Sequence, residues 1–349
     1  MEALILTPES QPLSRNIEDY PEGIIIPIDK PYRWTSADVI RKVKYAAIRH
    51  FGKKNLKVGH AGTLDPLATG VLLVCIGKAT KLAETLQSHD KEYVAGVTFG
   101  ATTPSYDLEK EIDRFFPHEH ITAEAIAEAL PAFIGEQDQI APLFSAKSVD
   151  GVRAYELARK LYKAIGQSDS DDPRLSDDRH PLAGGGMSSP SHLPNSLDNS
   201  AVIDEAAKDL IRVSRINISE LELTSFSGRN KGFEDRATRG TEAGGPQAKR
   251  SGGVSEANVL EPLSCQKSSS ASSRINVTDN SALGLPRAEI RIACSKGTYV
   301  RAFARDLGEA LGSGAHLDSL QRSRSGQFRV ENALSVEQAM EIFTPKREA

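Results

Sequence analysis

Two long segments with few apolar residues constrain most strongly what this chain can fold into. Residues of about 166–210 are rich in Ser, Asp, Pro and Gly, and residues of about 227–286 are rich in Gly, Ser, Arg and Lys. Neither composition can bury enough apolar surface to offset the entropy lost when a chain becomes ordered. We therefore predict two flexible insertions, with a short helix over residues 204–210 as an alternative for part of the first.

The rest of the chain is predicted to form one domain over residues 23–343, preceded by a lead-in of residues 1–22 and followed by a tail of residues 344–349. Long loops between neighbouring strands are tolerated, because the entropy of closing a loop grows only with the logarithm of its length. We accordingly expect that deletion of residues 168–208 or 228–285 leaves the fold and the activity largely intact.

The hydrophobic pattern of the remaining chain favours an α+β fold. Residues 211–223 and 288–294 alternate apolar and polar side chains, which is typical of half-buried strands. Strands and helices interleave irregularly, which favours α+β over a parallel doubly wound sheet. Further strands are predicted at residues 23–28, 71–76, 92–100 and 322–328, and helices at residues 36–49 with Ser36 as N-cap, 79–86, 123–130, 154–164, 300–311 and 335–342.

Bulk composition excludes several classes of protein. No apolar run approaches the roughly 20 residues of a membrane helix, and the N-terminus lacks the basic region of a secretory signal. The three cysteines, Cys75, Cys265 and Cys294, are too few and too scattered for a disulfide framework or a zinc site. We expect a protein of the reducing cytoplasm without contact to a membrane.

The net charge of −4 neither supports nor excludes nucleic acid as a partner. Residues 166–210 carry nine acidic against three basic side chains, and residues 227–286 carry eight basic against six acidic ones. The remainder is close to neutral, so local patches of charge must decide the partner.

One acidic turn stands out as a candidate site of chemistry. Asp65 is followed by Pro66 and lies between glycine-bearing segments, just before an apolar run at residues 71–74. An Asp-Pro pair often only caps a turn. Glycines on both sides permit close approach of a ligand to the backbone, and His60 lies on the same loop, so we interpret Asp65 as a reactive carboxylate.

Two residues that follow later in the chain, Arg301 and Tyr93, are candidates for the same site as Asp65. Arg301 is predicted in the first turn of a helix, where a cation opposes the helix dipole, so it needs an anionic partner, for which Asp65 is the candidate. Tyr93 lies at the start of an alternating strand, where a tyrosine is more often a core residue with its hydroxyl at the rim.

Cofactor motifs are missing from the sequence. The stretch Gly77-Lys78-Ala79-Thr80 lacks the earlier glycine of a phosphate-binding loop. No cluster of His and Cys suggests a metal. We therefore expect no nucleotide cofactor and no metal.

Five segments together resemble the tRNA pseudouridine-55 synthases of the TruB family. They cover roughly three fifths of the chain in the order of the family's motifs. The segments are Asp29-Lys30-Pro31 with Thr35-Ser36, Gly-His-Ala-Gly-Thr-Leu-Asp-Pro-Leu-Ala-Thr-Gly at residues 59–70, Lys91-Glu92-Tyr93, the stretch of residues 141–159, and Cys-Ser-Lys-Gly-Thr-Tyr-Val-Arg at residues 294–301 with its continuation to Leu320.

The resemblance implies a pseudouridine synthase fold, with a mixed, mainly antiparallel central sheet flanked by helices, a catalytic cleft and an RNA-clamping loop. It implies a cofactor-free isomerase that converts uridine to pseudouridine at position 55 in the T-loop of tRNA after the base leaves its stack. Asp65 resembles the catalytic carboxylate, which either attacks the uridine covalently or assists glycosidic cleavage. Tyr93 resembles the pocket tyrosine that stacks on the base, and Arg301 the cation beside the carboxylate.

The resemblance also implies a set of substrate-binding residues. His60 matches the residue that fills the gap left by the flipped nucleotide, and Tyr299 and Leu320 match positions that line the pocket. Residues 137–163 resemble the family's RNA-clamping loop, and their basic side chains are expected to contact phosphates. The expected substrate-binding set is His60, Tyr299, Leu320, Lys30, Lys147 and Arg153. The T-arm of tRNA is the expected partner of a monomer without an obligate protein partner.

Departures from the family pattern leave an alternative open. Ala141 replaces a usual proline, and Pro104 stands where an acidic residue is common. We also expect no C-terminal RNA-binding PUA module, which argues against the RNA-guided branch and predicts weaker binding of tRNA. The alternative is a tRNA-binding or tRNA-folding protein with reduced or lost catalysis.

Overall fold

The computed structural model describes residues 2–142, 148–149, 152–153, 213–228 and 275–344. Its helices are Ser36–Phe51 (α1), Ala83–Ser88 (α2), Ala123–Ala129 (α3), Val300–Ala310 (α4) and Val336–Ile342 (α5). Its strands are Leu4–Ile5 (β1), Ile24–Lys30 (β2), Val58–Ala61 (β3), Ala68–Ile76 (β4), Lys91–Phe99 (β5), Ala101–Thr102 (β6), Arg114–Phe115 (β7), Gly135–Ile140 (β8), Ser148–Val149 (β9), Val152–Arg153 (β10), Val213–Ser227 (β11), Arg287–Cys294 (β12), Ala315–Ser325 (β13) and Phe328–Arg329 (β14).

Ten of the strands in the described residues form one sheet. Their order is β1-β2-β4-β13-β5-β12-β11-β8, with β3 beside β4 and β14 beside β13. The pairs β1/β2 and β4/β13 are parallel, and the others are antiparallel. The expected α+β fold with a mixed, mainly antiparallel sheet is confirmed.

Helices cover both faces of the sheet around β2 and β4. Ile24, Ile26 and Ile28 lie in the same core cluster as buried residues of α1 and α5. Ile25 and Leu73 lie in a second cluster with residues of the α2 region. Because both faces of these strands are buried, their sequence is continuously apolar instead of alternating.

Helix α1 begins one residue earlier than predicted. The N-cap is Thr35, whose side chain accepts from the amide of Asp38 while the Asp38 carboxylate accepts from the Thr35 amide, a capping box. Ser36 is therefore the first helical residue, and its buried hydroxyl is free of the capping role. The helix ends at Gly52 in the left-handed conformation.

The region predicted as a helix at residues 79–86 divides in two. A 3-10 helix spans Gly77–Leu82 and is followed by α2. The helix predicted at residues 154–164 and the alternative helix at residues 204–210 lie outside the described residues. So does the first insertion.

Strand β13 is central to the sheet and is longer than the strand predicted at residues 322–328. It pairs with β4 on one side and β5 on the other. Its polar residues His316, Arg322 and Ser325 are buried, and buried polar side chains conceal the alternation on which the prediction depended.

Residues of the predicted lead-in, 1–22, pair and pack with the predicted domain. Strand β1 pairs with β2. Leu6 and Leu13 are buried in the cluster that contains α1, and Ile17 and Tyr20 pack against it.

Residues at both ends of the predicted second insertion are hydrogen-bonded to the domain. Strand β11 continues to Ser227. At the other end, Arg33 Nη2 donates to the carbonyl of Ile275 at 2.7 Å, and the amide of Thr278 donates to the carbonyl of Leu108 at 2.9 Å. Hydrogen bonds to the backbone thus bind residues 275–286 to the domain although their composition is polar.

No helix in the described part of the chain is long and apolar enough to cross a membrane.

The hydrogen bonds at Ile275 and Thr278 change the expected result of deleting the second insertion. Replacement of residues 229–274 by a flexible linker of about ten residues should leave the unfolding temperature within a few degrees. Extending the deletion to residue 283 should lower the free energy of unfolding by about 2 kcal/mol, because two or three hydrogen bonds are removed. Urea unfolding of both variants checks this, and equal stability of the two would contradict it.

Candidate active site

The turn that carries Asp65 lies between β3 and β4 and is held from below by hydrogen bonds. The Ser36 hydroxyl accepts from the Leu64 amide at 3.0 Å and lies 3.2 Å from the Leu64 carbonyl. The carbonyl of Pro66 accepts from the backbone amide of Arg33 at 2.9 Å. The backbone on both sides of Asp65 is therefore fixed to the segment between β2 and α1.

Lys30, which the resemblance implies is a substrate-binding residue, supports this turn in the structure. Its side chain is fully buried. Its ammonium donates to the carbonyls of Pro31, Trp34 and Pro66 at 2.9, 2.6 and 3.2 Å. Burial lowers the pKa of Lys30 to about 7, against the charge of Asp65, while its three carbonyl acceptors match the three donors of the protonated form.

Arg301 meets Asp65 in a bidentate ion pair. Arg301 Nε donates to Oδ2 of Asp65 at 2.9 Å, and Nη2 donates to Oδ1 at 3.1 Å. The Arg301 side chain is 5% exposed, whereas that of Asp65 is 36% exposed. The predicted contact between the cation at the start of α4 and Asp65 is confirmed, and it leaves the carboxylate accessible at the surface of a cavity.

A second carboxylate, Asp107, lies beside the same guanidinium and was missed in the sequence. Its Oδ2 is 3.8 Å from Arg301 Nε, and its Oδ1 accepts from the Ser105 hydroxyl at 2.6 Å. Burial raises the pKa of Asp107, against the lowering effect of Arg301. Burial also opposes the charge of Arg301, but Asp65 and Asp107 raise the pKa of that guanidinium above its ordinary value.

The Asp65–Arg301 pair forms part of the wall of a cavity of about 340 Å³. Five residues singled out in the sequence meet there, on four different elements of the fold. They are Asp65, Tyr93, Tyr299, Arg301 and Leu320.

Tyr93 reaches the cavity from β5, and its environment includes Arg322 of β13, which was missed in the sequence. Burial raises the pKa of Tyr93, against the lowering effect of Arg322, so the phenol stays protonated near neutral pH. Arg322 Nε donates to the carbonyl of Val71 at 2.7 Å, and its Nη2 donates to the carbonyl of Gly62 at 3.1 Å. Arg322 thus joins both ends of the acidic turn to the pocket tyrosine.

Tyr299 is fixed by a buried amide that was also missed. Gln139 of β8 accepts from the Tyr299 amide at 2.8 Å and donates to the Tyr299 carbonyl at 3.2 Å. Tyr299 is the residue before α4. Gln139 therefore fixes the start of the helix that carries Arg301.

Of the other expected substrate-binding residues, only His60 has a side chain whose place relative to the cavity is described. His60 lies half-buried on β3 and is not among the residues that line the cavity. Lys147 lies outside the described residues. Arg153 belongs to β10, which pairs with β9, and its side chain is not described.

The geometry provides a carboxylate fixed by one guanidinium, with a protonated phenol on the same cavity. Such a carboxylate can attack or stabilise an electron-poor atom of a bound molecule, and the phenol can stack and exchange a proton. Within the described residues there is no group of three or more His, Cys, Asp or Glu side chains that could hold a metal.

Comparison with known proteins identifies close relatives. A family model described as TruB family pseudouridylate synthase, N-terminal domain, matches residues 49–167. The tRNA pseudouridine synthase B of Phocaeicola vulgatus is 40% identical over 91% of this chain and 92% of the relative. The protein of the same name from Bacteroides fragilis is 39% identical over 90% of this chain and 92% of the relative.

One solved structure is similar at greater distance. It is a chain of an H/ACA RNP bound to a substrate RNA containing 2′-deoxyuridine, with 18% identity and a TM-score of 0.46. The match covers 96% of this chain and 56% of that one. At this TM-score the likeness adds no argument.

The close approach of the paired strands β4 and β13 at Gly70 gives a test of stability. Gly70 has φ of 97°, and an added Cβ would lie 2.2 Å from the carbonyl oxygen of Arg322. Gly70→Ala should therefore lower the free energy of unfolding by about 3 kcal/mol.

The matched control is Gly52→Ala. Gly52 has φ of 63° but no heavy atom within 4 Å of the added Cβ, so only the backbone cost of about 1 kcal/mol applies. Denaturant unfolding compares the two variants. Equal losses of stability in the two variants would show that β4 and β13 can move apart at Gly70.

Proposed function

Because this chain belongs to the TruB family of pseudouridylate synthases, we propose that it converts uridine to pseudouridine in tRNA with Asp65 as the catalytic carboxylate. The observation that carries the assignment of the residue is the bidentate contact of Asp65 with Arg301 at the wall of the cavity. The proposed site in the substrate is position 55 in the T-loop.

The reaction breaks the C1′–N1 bond of uridine, turns the base and forms a C1′–C5 bond. The proton lost from C5 is balanced by one gained at N1, so neither a redox cofactor nor an energy source is required. Asp65 serves this exchange either by covalent attack on the uridine or by stabilising C1′ as the glycosidic bond breaks. Both roles require an ionised carboxylate, and Arg301 holds the carboxylate of Asp65 in place through two hydrogen bonds.

The cavity receives the base after it leaves the RNA stack. Extrusion of a base costs a few kcal/mol, and stacking on an aromatic face returns about 1–3 kcal/mol. Tyr93 supplies that face. Its raised pKa keeps the hydroxyl protonated, so that it can donate to the base or move a proton.

The remaining contacts are assigned by the family pattern. Tyr299 and Leu320 line the pocket, His60 fills the space that the base vacates, and Lys147 and Arg153 contact phosphates of the T-arm. The protein acts as a cytoplasmic monomer without an obligate protein partner.

Asp65→Asn tests the catalytic assignment. The amide keeps the shape of the side chain but cannot act as a nucleophile or carry the charge. Formation of pseudouridine in unmodified tRNA transcript should fall by about 10³-fold or more, while binding of the transcript persists. Chemical mapping of pseudouridine measures the product, and a filter assay measures binding.

The alternative function, tRNA binding or folding without catalysis, gives a different pattern. Wild-type protein and Asp65→Asn would then bind the transcript equally and would both leave uridine unmodified. That result would overturn the enzymatic proposal.

Arg301→Lys tests the role of the guanidinium. Lysine cannot make the two parallel hydrogen bonds to Asp65 or reach the Ser105 carbonyl, 3.1 Å from Arg301 Nη1, at the same time. We expect kcat to fall by about 10²-fold through misplacement of the carboxylate, with little change in tRNA affinity. Single-turnover kinetics measures the effect.

Arg305→Lys is the matched control. Arg305 lies one turn further along α4, where it pairs with Asp306 at 2.7 Å and bonds the Ile140 carbonyl. It does not contact Asp65, so kcat should change less than about threefold. Equal decreases of kcat in the two variants would mean that a general disturbance of α4, and not the ion pair, controls the rate.

A further inference from the structure

An open groove of about 830 Å³ lies at the start of β3 and is lined by basic side chains. We call it the β3 groove and define it by Lys44 of α1, Lys54, Asn55 and Lys57 of the following loop, Gly59 of β3, and Thr80. Within the described part of the chain, no acidic residue lines it. The groove therefore carries three positive charges in a chain whose net charge is −4.

The three lysines of the β3 groove have no carboxylate partner within 4 Å in the described residues, and all three are exposed. Two lysines close to the groove do have carboxylate partners. Lys53 pairs with Glu18 at 3.0 Å, and Lys78 pairs with Glu22 at 3.8 Å. Nearby acids thus neutralise Lys53 and Lys78 outside the groove and leave the three lysines inside it uncompensated.

Strand β3 connects the groove to the active site. Gly59 lines the groove, and Gly62, directly after the strand, lines the cavity of Asp65. Three residues of extended chain span about 10 Å. Phosphates of one strand in a duplex succeed one another every ~3.4 Å along its axis, so this distance corresponds to about three nucleotides.

We propose that the β3 groove binds backbone phosphates of the tRNA strand next to the target uridine. The proposal rests on the proposed function and adds a second contact region to it. Exposed ammonium groups without acidic neighbours suit phosphates, since each contact releases counterions from the RNA. Contacts of this kind position the RNA and carry no sequence information.

The test is a triple substitution of the full chain, Lys44→Gln, Lys54→Gln and Lys57→Gln, which removes the charges and keeps the side-chain stems. The slope of log affinity for unmodified tRNA transcript against log salt should fall by about one for each phosphate that is no longer neutralised, up to about three. KM should rise by about tenfold at physiological salt, with kcat changed less than about twofold. The triple Lys→Arg variant should restore the wild-type slope.

Lys42→Gln is the matched control for charge. Lys42 lies on α1 two residues before Lys44, so it projects about 200° away around the helix, and its ammonium lies 5.2 Å from the centroid of the Trp34 ring. It should leave the salt slope and KM unchanged. Thermal unfolding of each variant checks that the fold is retained.

The outcomes separate the groove from the enzymatic function. An active triple-Gln variant with the wild-type salt slope would overturn the groove proposal and leave the function intact. A reduced slope without turnover by the wild type would support the groove and remove the function. Binding of the wild type, but not of the triple-Gln variant, to phosphatidylglycerol vesicles, with tRNA affinity equal in both, would assign the groove to a membrane surface and overturn the proposal.

Discussion

The active site depends on one ion pair between distant parts of the chain. Asp65 and Arg301 are 236 residues apart, and the guanidinium is almost fully buried. A buried cation costs several kcal/mol, and the helix dipole at the start of α4 adds to that cost. The carboxylates of Asp65 and Asp107 and the carbonyl of Ser105 offset this cost. The buried guanidinium needs these partners, so it reaches Asp65 only when the sheet that joins the two segments is complete.

The turn of Asp65 is rigid because unrelated contacts converge on its backbone. Lys30 and Ser36 hold it from the side of α1, and Arg322 holds Gly62 and Val71 from β13. Lys30 and Arg322 donate to backbone carbonyls. These carbonyls are fixed in the turn and do not move with a substrate. A carboxylate on such a support loses little entropy when it reacts, and this is the condition for efficient positioning of a reacting group.

The parts of the site that were predictable follow from local physics. A cation in a first helical turn requires an anion, and that argument led from Arg301 to Asp65. Tyr93, Tyr299 and Leu320 were found mainly through resemblance, because their meeting depends on strand order. Asp107, Gln139 and Arg322 were missed for the same reason. The charge of Lys30 is visible in the sequence, and its burial is not. In the fold, the hydrophobic pattern correctly favoured α+β, whereas the hydrogen bonds at Ile275 and Thr278 leave no trace in composition.

The fate of each cation explains how a chain of net charge −4 can serve a polyanionic substrate. Lys30, Arg301 and Arg322 are buried, and each is committed to carboxylates or carbonyls of the protein, so they organise the cavity without adding charge to the surface. Attraction of phosphates must come from exposed cations that lack acidic neighbours. In the β3 groove, Lys44, Lys54 and Lys57 meet this condition, whereas Lys53 does not. Net charge counts the buried cations that are paired within the protein and the exposed cations without acidic neighbours alike. The number of exposed, uncompensated cations is therefore the better guide to binding of nucleic acid.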